Sequence, residues 1–270
     1  MFDFLRTRLR QGTRTLRFPS AGGRADLPAR FRGRPVLEAG RCENACRECS
    51  ARLPSQLVRL TPDGAAALDL GACLFSPEEA LACPHGALEY TRDYRMAAST
   101  RDALVTATGE VELARALDER ARRLFGRSLR LRSVVAGSCN GCEAELVALG
   151  NVVFDLARFG VQFVASPRHA DGIVVTGAVN TNMRLALQKT YEAVPEPRLV
   201  IAVGACAISG GPFRGSPEVA DGIGDLFPVD LWVPGCPPHP LTVLDGLLRL
   251  LGAIESRPPR ERARRLIDLP

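Results

Sequence analysis

The sequence has few residues of several kinds and lacks the motifs of common catalytic and nucleotide-binding sites. Lys189 is the only lysine among 35 basic residues in a chain of 270. The arginines are interleaved with 30 acidic residues, so the charge pattern does not indicate a nucleic-acid partner. There is no P-loop, dinucleotide fingerprint or Ser/His/Asp arrangement. The chain therefore offers no evident nucleophile or acid–base pair for bond chemistry of its own.

Long hydrophobic runs are also missing. No window approaches the roughly 20 apolar residues that a membrane span needs. The nearest, 241–254, is interrupted by Asp245 and Arg249. The N-terminal arginines are not followed by an apolar segment, which predicts neither a secretory nor a twin-arginine signal. We therefore expect a cytoplasmic protein, either soluble or peripheral.

Cysteine, by contrast, is abundant, with nine in the chain. In a reducing compartment such cysteines are more often metal ligands or catalytic groups than disulfides, and an odd number argues against complete pairing. Five lie between residues 42 and 83 and four between residues 139 and 236.

Composition divides the chain into a basic arm, a cysteine-rich unit, a connector, a larger domain and a tail. In order, these are 1–38, 39–90, 91–128, 129–255 and 256–270. In the arm, Phe2, Leu5 and Leu9 would form one face of a short amphipathic helix, which we expect to lie on a partner rather than on a membrane. The cysteine-rich unit has few apolar residues, and small units of this kind are usually held by metal.

Regular apolar spacing begins in the connector. Residues 111–125 have helical spacing, and Gly126 marks the end of this predicted helix. After residue 129, apolar runs of strand length alternate with helix-like segments. The predicted strands are 131–135, 161–164, 173–176, 199–203 and 230–233, and the predicted helices are 143–159, 182–192 and 241–252. This alternation predicts an α/β domain with a doubly wound, mostly parallel sheet.

The four later cysteines each follow a predicted strand by a few residues. Cys139 and Cys142 form a C-x2-C pair after the first strand, and Cys206 and Cys236 follow the last two. Because ligands bind beyond the carboxyl ends of parallel strands, we expect four thiols to meet at one edge of the sheet. Four thiolates suit a structural zinc site as well as an iron–sulfur cluster, and the spacing does not decide between them.

The earlier cysteines resemble the ligand runs of a two-cluster bacterial ferredoxin, in which the fourth cysteine of each run ligates the other cluster. One set is complete and consists of Cys42, Cys46, Cys49 and Cys83. The other set retains only Cys73, with Leu53, Ser76 and Glu79 in place of its remaining thiolates. This pattern predicts a unit that has lost one cluster and kept the other. A zinc knuckle is one alternative. The cluster of a radical enzyme is another, but the barrel-like succession of strands that it needs is absent.

Three motifs together resemble a known family. They are 138–143 (Ser-Cys-Asn-Gly-Cys-Glu), 204–211 (Gly-x-Cys-x3-Gly-Gly) and 233–238 (Val-Pro-Gly-Cys-Pro-Pro). They are similar to the small electron-transfer subunit of complex I-related, group 4 [NiFe]-hydrogenases, the formate hydrogenlyase type in particular. The wider family includes the 20 kDa subunit of NADH-quinone oxidoreductase. The two-residue gap between Cys139 and Cys142 resembles the hydrogenase branch, because respiratory complex I subunits have two adjacent cysteines there.

The resemblance implies a flavodoxin-like fold for 129–255. Residues 31–90 are similar to the ferredoxin-like subunit of the same complexes, which implies a small ferredoxin-like α+β iron–sulfur domain before it. It also implies a [4Fe–4S] cluster in the C-terminal domain and a second in the N-terminal domain. The implied ligands of the C-terminal cluster are Cys139, Cys142, Cys206 and Cys236.

No catalytic residue is expected in this chain. The acidic residue that the family has after the first cysteines corresponds to Glu145, with Glu143 nearby. A proton-coupled role and a helix-capping role are both open for these carboxylates. His239, near Cys236, is either a hydrogen-bonding group that tunes the cluster or a surface histidine.

The resemblance therefore implies an electron-relay subunit of a multi-subunit, membrane-associated [NiFe]-hydrogenase-like oxidoreductase, peripheral on the cytoplasmic face of the inner membrane as part of that complex. It would pass single electrons through its clusters to or from the active centre of a partner large subunit, alongside other iron–sulfur subunits and membrane subunits. A subunit of a complex I-like quinone oxidoreductase, with a 49 kDa-type partner, is the first alternative. A zinc-stabilised structural or assembly protein is the second.

Overall fold

The computed structural model of the protein describes residues 2–18, 27–38, 41, 53, 55–61, 65–107, 110–125 and 128–254. The helices are α1 (Phe2–Gln11), α2 (Pro77–Leu81), α3 (Glu119–Phe125), α4 (Gly141–Ala148), α5 (Thr181–Ala193), α6 (Ala205–Ser209) and α7 (Pro240–Leu250). The strands are β1 (Pro35–Leu37), β2 (Val58–Leu60), β3 (Ala66–Asp69), β4 (Leu88–Tyr90), β5 (Val105–Thr106), β6 (Leu129–Val135), β7 (Val161–Phe163), β8 (Gly172–Thr176), β9 (Leu199–Val203) and β10 (Leu231–Val233).

Five parallel strands form the main sheet, in the order β7-β6-β8-β9-β10. Numbered from β6, this is the 2-1-3-4-5 order of flavodoxin-like sheets. Every residue of β8 and β9 is buried, as expected for central parallel strands covered on both faces. The predicted α/β domain with a parallel sheet is confirmed.

Helices cover both faces of this sheet. On one face, Val175 and Trp232 pack in a core with Leu187 of α5 and Ile208 of α6. On the other face lie α4 and α7. Every residue of α7 is buried, and its two charged side chains, Asp245 and Arg249, pair with each other. Burial of a charged pair is tolerated here because both groups are hydrogen-bonded, at 2.7 Å and 3.2 Å.

The cysteine-rich unit forms two small antiparallel sheets, β1–β4 and β2–β3–β5, with α2 between β3 and β4. Its few apolar residues suggested a unit held by metal. These residues join the core on the α6 side of the main sheet, where Leu57 and Leu68 are fully buried together with Leu104 of the connector. Whether the unit also holds metal stays a prediction. The hydroxyl of Ser209 in α6 donates to the carbonyl of Gly71 at 2.9 Å. Much of the stability of this unit therefore comes from burial against the C-terminal domain.

The predicted helix at 111–125 is wrong over its first half. The amides of Ala114 and Leu117 donate to the carbonyls of Ala97 and Leu250, at 2.8 Å and 2.9 Å. These contacts with distant segments replace the bonds that a helix would make, and α3 begins only at Glu119. The connector is thus helical only near its end, and Gly126 lies outside the described residues.

The predicted helix at 143–159 is also too long. It begins at Gly141 and ends at Ala148, and a short 3-10 turn follows at Leu156–Phe159. The side chain of Asn151 accepts from the amides of Val153 and Phe154, at 2.8 Å and 3.1 Å. Such side-chain bonds compete with helix continuation.

Helix α1 forms where the arm predicts an amphipathic helix, and none of its residues is buried. Phe2 and Leu9 are each 84% exposed. What this face contacts stays a prediction. Within the described residues, no helix combines the length and apolarity that crossing a bilayer requires.

Candidate metal centre

The four later cysteines lie where three strands of the main sheet end. Cys139 is in the turn between β6 and α4, and Cys142 is the second residue of α4. Cys206 is the second residue of α6, directly after β9, and Cys236 lies between β10 and α7. All four therefore project from the carboxyl edge of the parallel sheet, where ligands bind in such folds.

A contact of a loop glycine places Cys139 near the Cys236 loop: a Cβ on Gly141 would lie 3.5 Å from the Cys139 Sγ and 3.6 Å from Pro237, the residue after Cys236. Burial raises the pKa of Cys142, and the adjacent Glu143 carboxylate and the other three thiols raise it further. Burial raises the pKa of Cys206 to about 11, with Cys236 and Cys139 contributing. Burial and Cys139 likewise raise the pKa of Cys236. The structure thus brings together the four residues that the sequence pairs with strand ends, and their role as ligands stays a prediction.

The thiols span the boundary between the core and the surface. Cys142 is buried, Cys206 and Cys236 are partly exposed, and Cys139 is exposed. The side chain of Phe213, in the turn that follows α6, is 50% exposed. A group held by these thiols would have one side within the fold and one side open to a partner.

Gly204 allows β9 to approach the Cys142 thiol. Its backbone has φ 92° and ψ 156°, a region that essentially only glycine occupies. A Cβ atom at this position would lie 2.5 Å from the Cys142 Sγ. The Gly204 amide donates to Val233 at 2.9 Å, which ties the end of β9 to β10. Glycine at this position therefore serves both the backbone turn and the thiol.

Glu143 holds the Cys139 turn in place. Its carboxylate accepts from the Ser138 hydroxyl at 2.7 Å and from the Thr176 hydroxyl at the end of β8. Ser138 in turn accepts from the amide of Asn140, which has φ 69°. The sequence reasoning missed Thr176, although a polar residue that ends an otherwise apolar buried strand is a signal that could have indicated it.

Glu145 lies two residues after Glu143, on a different side of α4, and faces a different environment. It lines a cavity of about 250 Å³ together with Cys236, Phe75 and His239. Burial raises the pKa of Glu145. The two acidic residues of α4 thus differ: Glu143 is bonded within the loop, whereas Glu145 faces the space beside Cys236.

His239 caps α7. Its Nδ1 atom accepts from the amide of Leu241 at 3.2 Å. The rings of Phe31 and Phe154 meet it edge-on, with centroids 5.2 Å and 6.0 Å away. Burial lowers the pKa of His239, which favours the neutral ring. Its Nδ1 is therefore engaged in capping, and it is neither a fully exposed nor a freely rotating histidine.

Of the four predicted N-terminal ligands, Cys42, Cys46 and Cys49 lie outside the described residues. Cys83 is buried, and its sulfur accepts from the amide of Ala87 at 3.2 Å. The proposed set therefore stays a prediction.

The remnant of the lost set has a definite structure. Cys73 is fully buried, and its thiol donates to Glu79 at 3.4 Å. Glu79 also accepts from the hydroxyl of Tyr90 at 2.7 Å. Cys73 and Glu79, at two positions that would carry ligands in a two-cluster ferredoxin, are thus hydrogen-bonded to each other.

The donor set at the strand ends fits an iron–sulfur cluster. Thiolates are soft ligands that suit iron–sulfur clusters and zinc. In the described part of the chain, no group of three or more His, Cys, Asp or Glu side chains is arranged as a metal-ion site. The fold nevertheless brings the four thiols to one edge of the sheet, where Gly204 leaves room for the Cys142 thiol.

Comparisons with known proteins give a consistent result. The family described as NADH ubiquinone oxidoreductase, 20 Kd subunit, matches residues 139–250. An NADH-quinone oxidoreductase subunit of Heliobacterium modesticaldum is 47% identical over 116 residues, which are 43% of this chain and 66% of that protein. A probable membrane-bound hydrogenase subunit of Pyrococcus furiosus is 43% identical over 129 residues, 48% of this chain and 77% of that protein.

Formate hydrogenlyase subunit 7 of Escherichia coli is 42% identical over 131 residues, 48% of this chain and 51% of that protein. The matched segments thus span between about half and three quarters of these relatives, and less than half of this chain.

Proposed function

Because the chain belongs to the NADH ubiquinone oxidoreductase 20 kDa subunit family, we propose that it is an electron-relay subunit of a [NiFe]-hydrogenase-like oxidoreductase complex. The observation that carries this proposal is the convergence of four thiols at the carboxyl edge of the parallel sheet. A [4Fe–4S] cluster bound there would supply one-electron chemistry. Its ligands would be Cys139, Cys142, Cys206 and Cys236.

The protein's own residues would hold, orient and partly bury this cluster. The raised pKa values of Cys142 and Cys206 keep these thiols protonated while no metal is bound. Because metal binding requires thiolates, loading the site would release their protons. Cys142 lies in the first turn of α4, where backbone N–H groups lack helical partners and the helix dipole favours negative charge. The exposed side, at Cys139 and Phe213, would face the large subunit.

A hydrogenase-type partner is supported by the two-residue gap between Cys139 and Cys142. The relatives include both hydrogenase and quinone-oxidoreductase subunits. The test is to purify the complex and measure nickel, and to examine the co-purifying large subunit for paired C-x2-C motifs. A large subunit without nickel and without those motifs would favour the complex I-like alternative.

We also propose that the cysteine-rich unit is a ferredoxin-like domain with one [4Fe–4S] cluster. Its described elements follow the order β1, β2, β3, α2, β4, which supports a β-α-β-β-α-β unit. The cluster ligands would be Cys42, Cys46, Cys49 and Cys83. Electrons would then pass between this cluster and the C-terminal one.

Iron analysis of anaerobically purified protein tests both clusters. Two [4Fe–4S] clusters correspond to about eight irons per chain and little zinc. The variant Cys206→Ser should lose the C-terminal cluster and Cys83→Ser the N-terminal one. Cys73→Ser is the matched control and should leave iron unchanged. A colourless zinc-containing protein would instead support a structural or assembly role.

Peripheral association with the membrane would follow from assembly into such a complex. Relatives are named as subunits of a membrane-bound hydrogenase and of NADH-quinone oxidoreductases. The exposed face of α1 would then contact another subunit of the complex. Fractionation of cells, with and without salt washing, checks whether the chain is retained with cytoplasmic-side membrane subunits.

A further inference from the structure

A buried carboxylate occupies the remnant of the lost cluster set. Glu79 is 3% exposed, and four hydrogen-bond donors converge on its two oxygens. These donors are the amides of Leu74 (3.0 Å) and Ser76 (3.2 Å), the thiol of Cys73 (3.4 Å) and the hydroxyl of Tyr90 (2.7 Å). The sequence reasoning treated Glu79 only as a replaced ligand.

Every hydrogen bond of this network is one that the carboxylate of Glu79 accepts. Two of the four donors are amides, which cannot accept a proton from a carboxylic acid. The other two stay protonated, because burial and the nearby Glu79 charge raise the pKa of Cys73, and burial followed by Cys73 and Glu79 raises that of Tyr90. All four contacts therefore suit a charged carboxylate, because hydrogen bonds donated to an anion are stronger than those between neutral groups.

Glu79 is also close to the C-terminal thiols. Phe75 separates the two sites: its ring packs on Tyr90, with centroids 6.2 Å apart, and it lines the same cavity as Cys236. Glu79 accepts from the amides on both sides of Phe75, so its carboxylate lies against the backbone of a residue whose side chain shares the Cys236 cavity. Two arginines, Arg30 and Arg32, also line the cavity, and Arg32 donates to the Phe75 carbonyl at 2.6 Å.

We propose that Glu79 is a fixed buried charge that lowers the reduction potential of the C-terminal cluster. This inference depends on the proposed function, since it needs a cluster on the four C-terminal thiols. A negative charge beside a cluster disfavours the addition of an electron, and a charge buried in protein is screened far less than one in water. Glu79 is therefore a positioning residue for electron transfer that acts through the field at the cluster rather than by binding it.

The test is a potentiometric titration of the complex, followed by the spectroscopic signal of the C-terminal cluster. In Glu79→Gln the reduction equilibrium should shift about tenfold toward the reduced form, which is about +59 mV for one electron. The matched control is Glu78→Gln, which removes an exposed charge from the neighbouring position of α2 and should leave the potential unchanged. Added salt should not abolish the Glu79→Gln shift, because the charge is buried.

A second variant separates the charge from mere packing. Tyr90→Phe retains the carboxylate but removes one donor that partly compensates it, so the potential should become more negative. A purely structural role predicts that both variants move the potential in the same direction. Either that result or an unchanged potential in loaded Glu79→Gln overturns the inference. If Glu79→Gln loads no iron, the sign of the Tyr90→Phe shift decides. A wild-type protein without a C-terminal cluster would instead contradict the proposed function itself.

Discussion

Replacing Gly204 by alanine should remove the C-terminal cluster while leaving most of the fold intact. The added Cβ would lie 2.5 Å from the Cys142 Sγ, whereas ordinary contact begins at 3.4 Å. The thiol would therefore have to move by about 0.9 Å, well beyond the ±0.2 Å within which metal–ligand distances normally fall. Since Cys142 is buried, it has little room to retreat.

We expect Gly204→Ala to lower the free energy of unfolding moderately but to abolish binding of the C-terminal cluster. Forcing alanine into this glycine-only backbone region costs about 1–3 kcal/mol. Overpacking around Cys142 adds about 1–3 kcal/mol. We expect a lowered Tm and loss of the iron assigned to the C-terminal cluster, about four atoms per chain.

The matched control is Gly215→Ala. Gly215 has φ 78°, so alanine is strained there too, but no atom lies within 4 Å of the added Cβ. This variant should be destabilised by the backbone alone and should keep its iron. The measurements are iron per chain, cluster absorbance and thermal unfolding of the three proteins. If Gly204→Ala retains full iron, the close approach of Cys142 does not constrain the site and the reasoning fails.

Three further predictions concern regions around this site. Burial lowers the pKa of His239 in the folded protein. As pH drops below about 6.5, the histidine of the unfolded chain becomes protonated before that of the folded protein, so the free energy of unfolding should fall. His239→Asn keeps a capping acceptor and should reduce the slope of the unfolding free energy against pH by at most about 1.4 kcal/mol per pH unit. Denaturant titrations between about pH 7.5 and 5.5 measure this slope, and an unchanged slope would contradict the assignment. Gly71→Ala places a Cβ 2.5 Å from the Ile208 side chain and should cost about 1–3 kcal/mol, and Ile208→Ala should be less destabilising in that background than in the wild type. Leu5→Ser with Leu9→Ser should weaken co-purification of the complex without changing iron content or Tm, because neither side chain is buried.

The C-terminal domain was predictable because its signals are local. Runs such as 173–176 and 199–203 are entirely apolar or nearly so, and each strand so identified appears within two residues of its predicted ends. The cysteines that follow these strands then meet at one edge because parallel strands share a direction. The sheet and the convergence of thiols both follow from spacing along the chain.

What could not be predicted depends on contacts between distant segments. Residues 111–118 have helical spacing, yet Ala114 bonds with Ala97 and Leu117 with Leu250. The same holds for the core of the cysteine-rich unit, which appeared too small when considered alone. Ile208 belongs to the other domain, and nothing in the sequence indicates that Gly71 packs against it.

If the cysteine-rich unit has lost one cluster, as its sequence predicts, the contacts of Glu79 indicate how a metal site can disappear from such a unit without unfolding it. Removing a cluster leaves a buried space and former ligands without partners, and unpartnered buried polar groups are costly. Here Glu79 and Tyr90 bond to the remaining Cys73, so the polar groups of the former site are paired with one another. The shared core with the main sheet supplies packing that the second cluster would otherwise have reinforced. The same carboxylate bonds to the backbone on both sides of Phe75, which lines the cavity of Cys236, so a residue that compensates for a lost cluster would also act on the cluster proposed to remain.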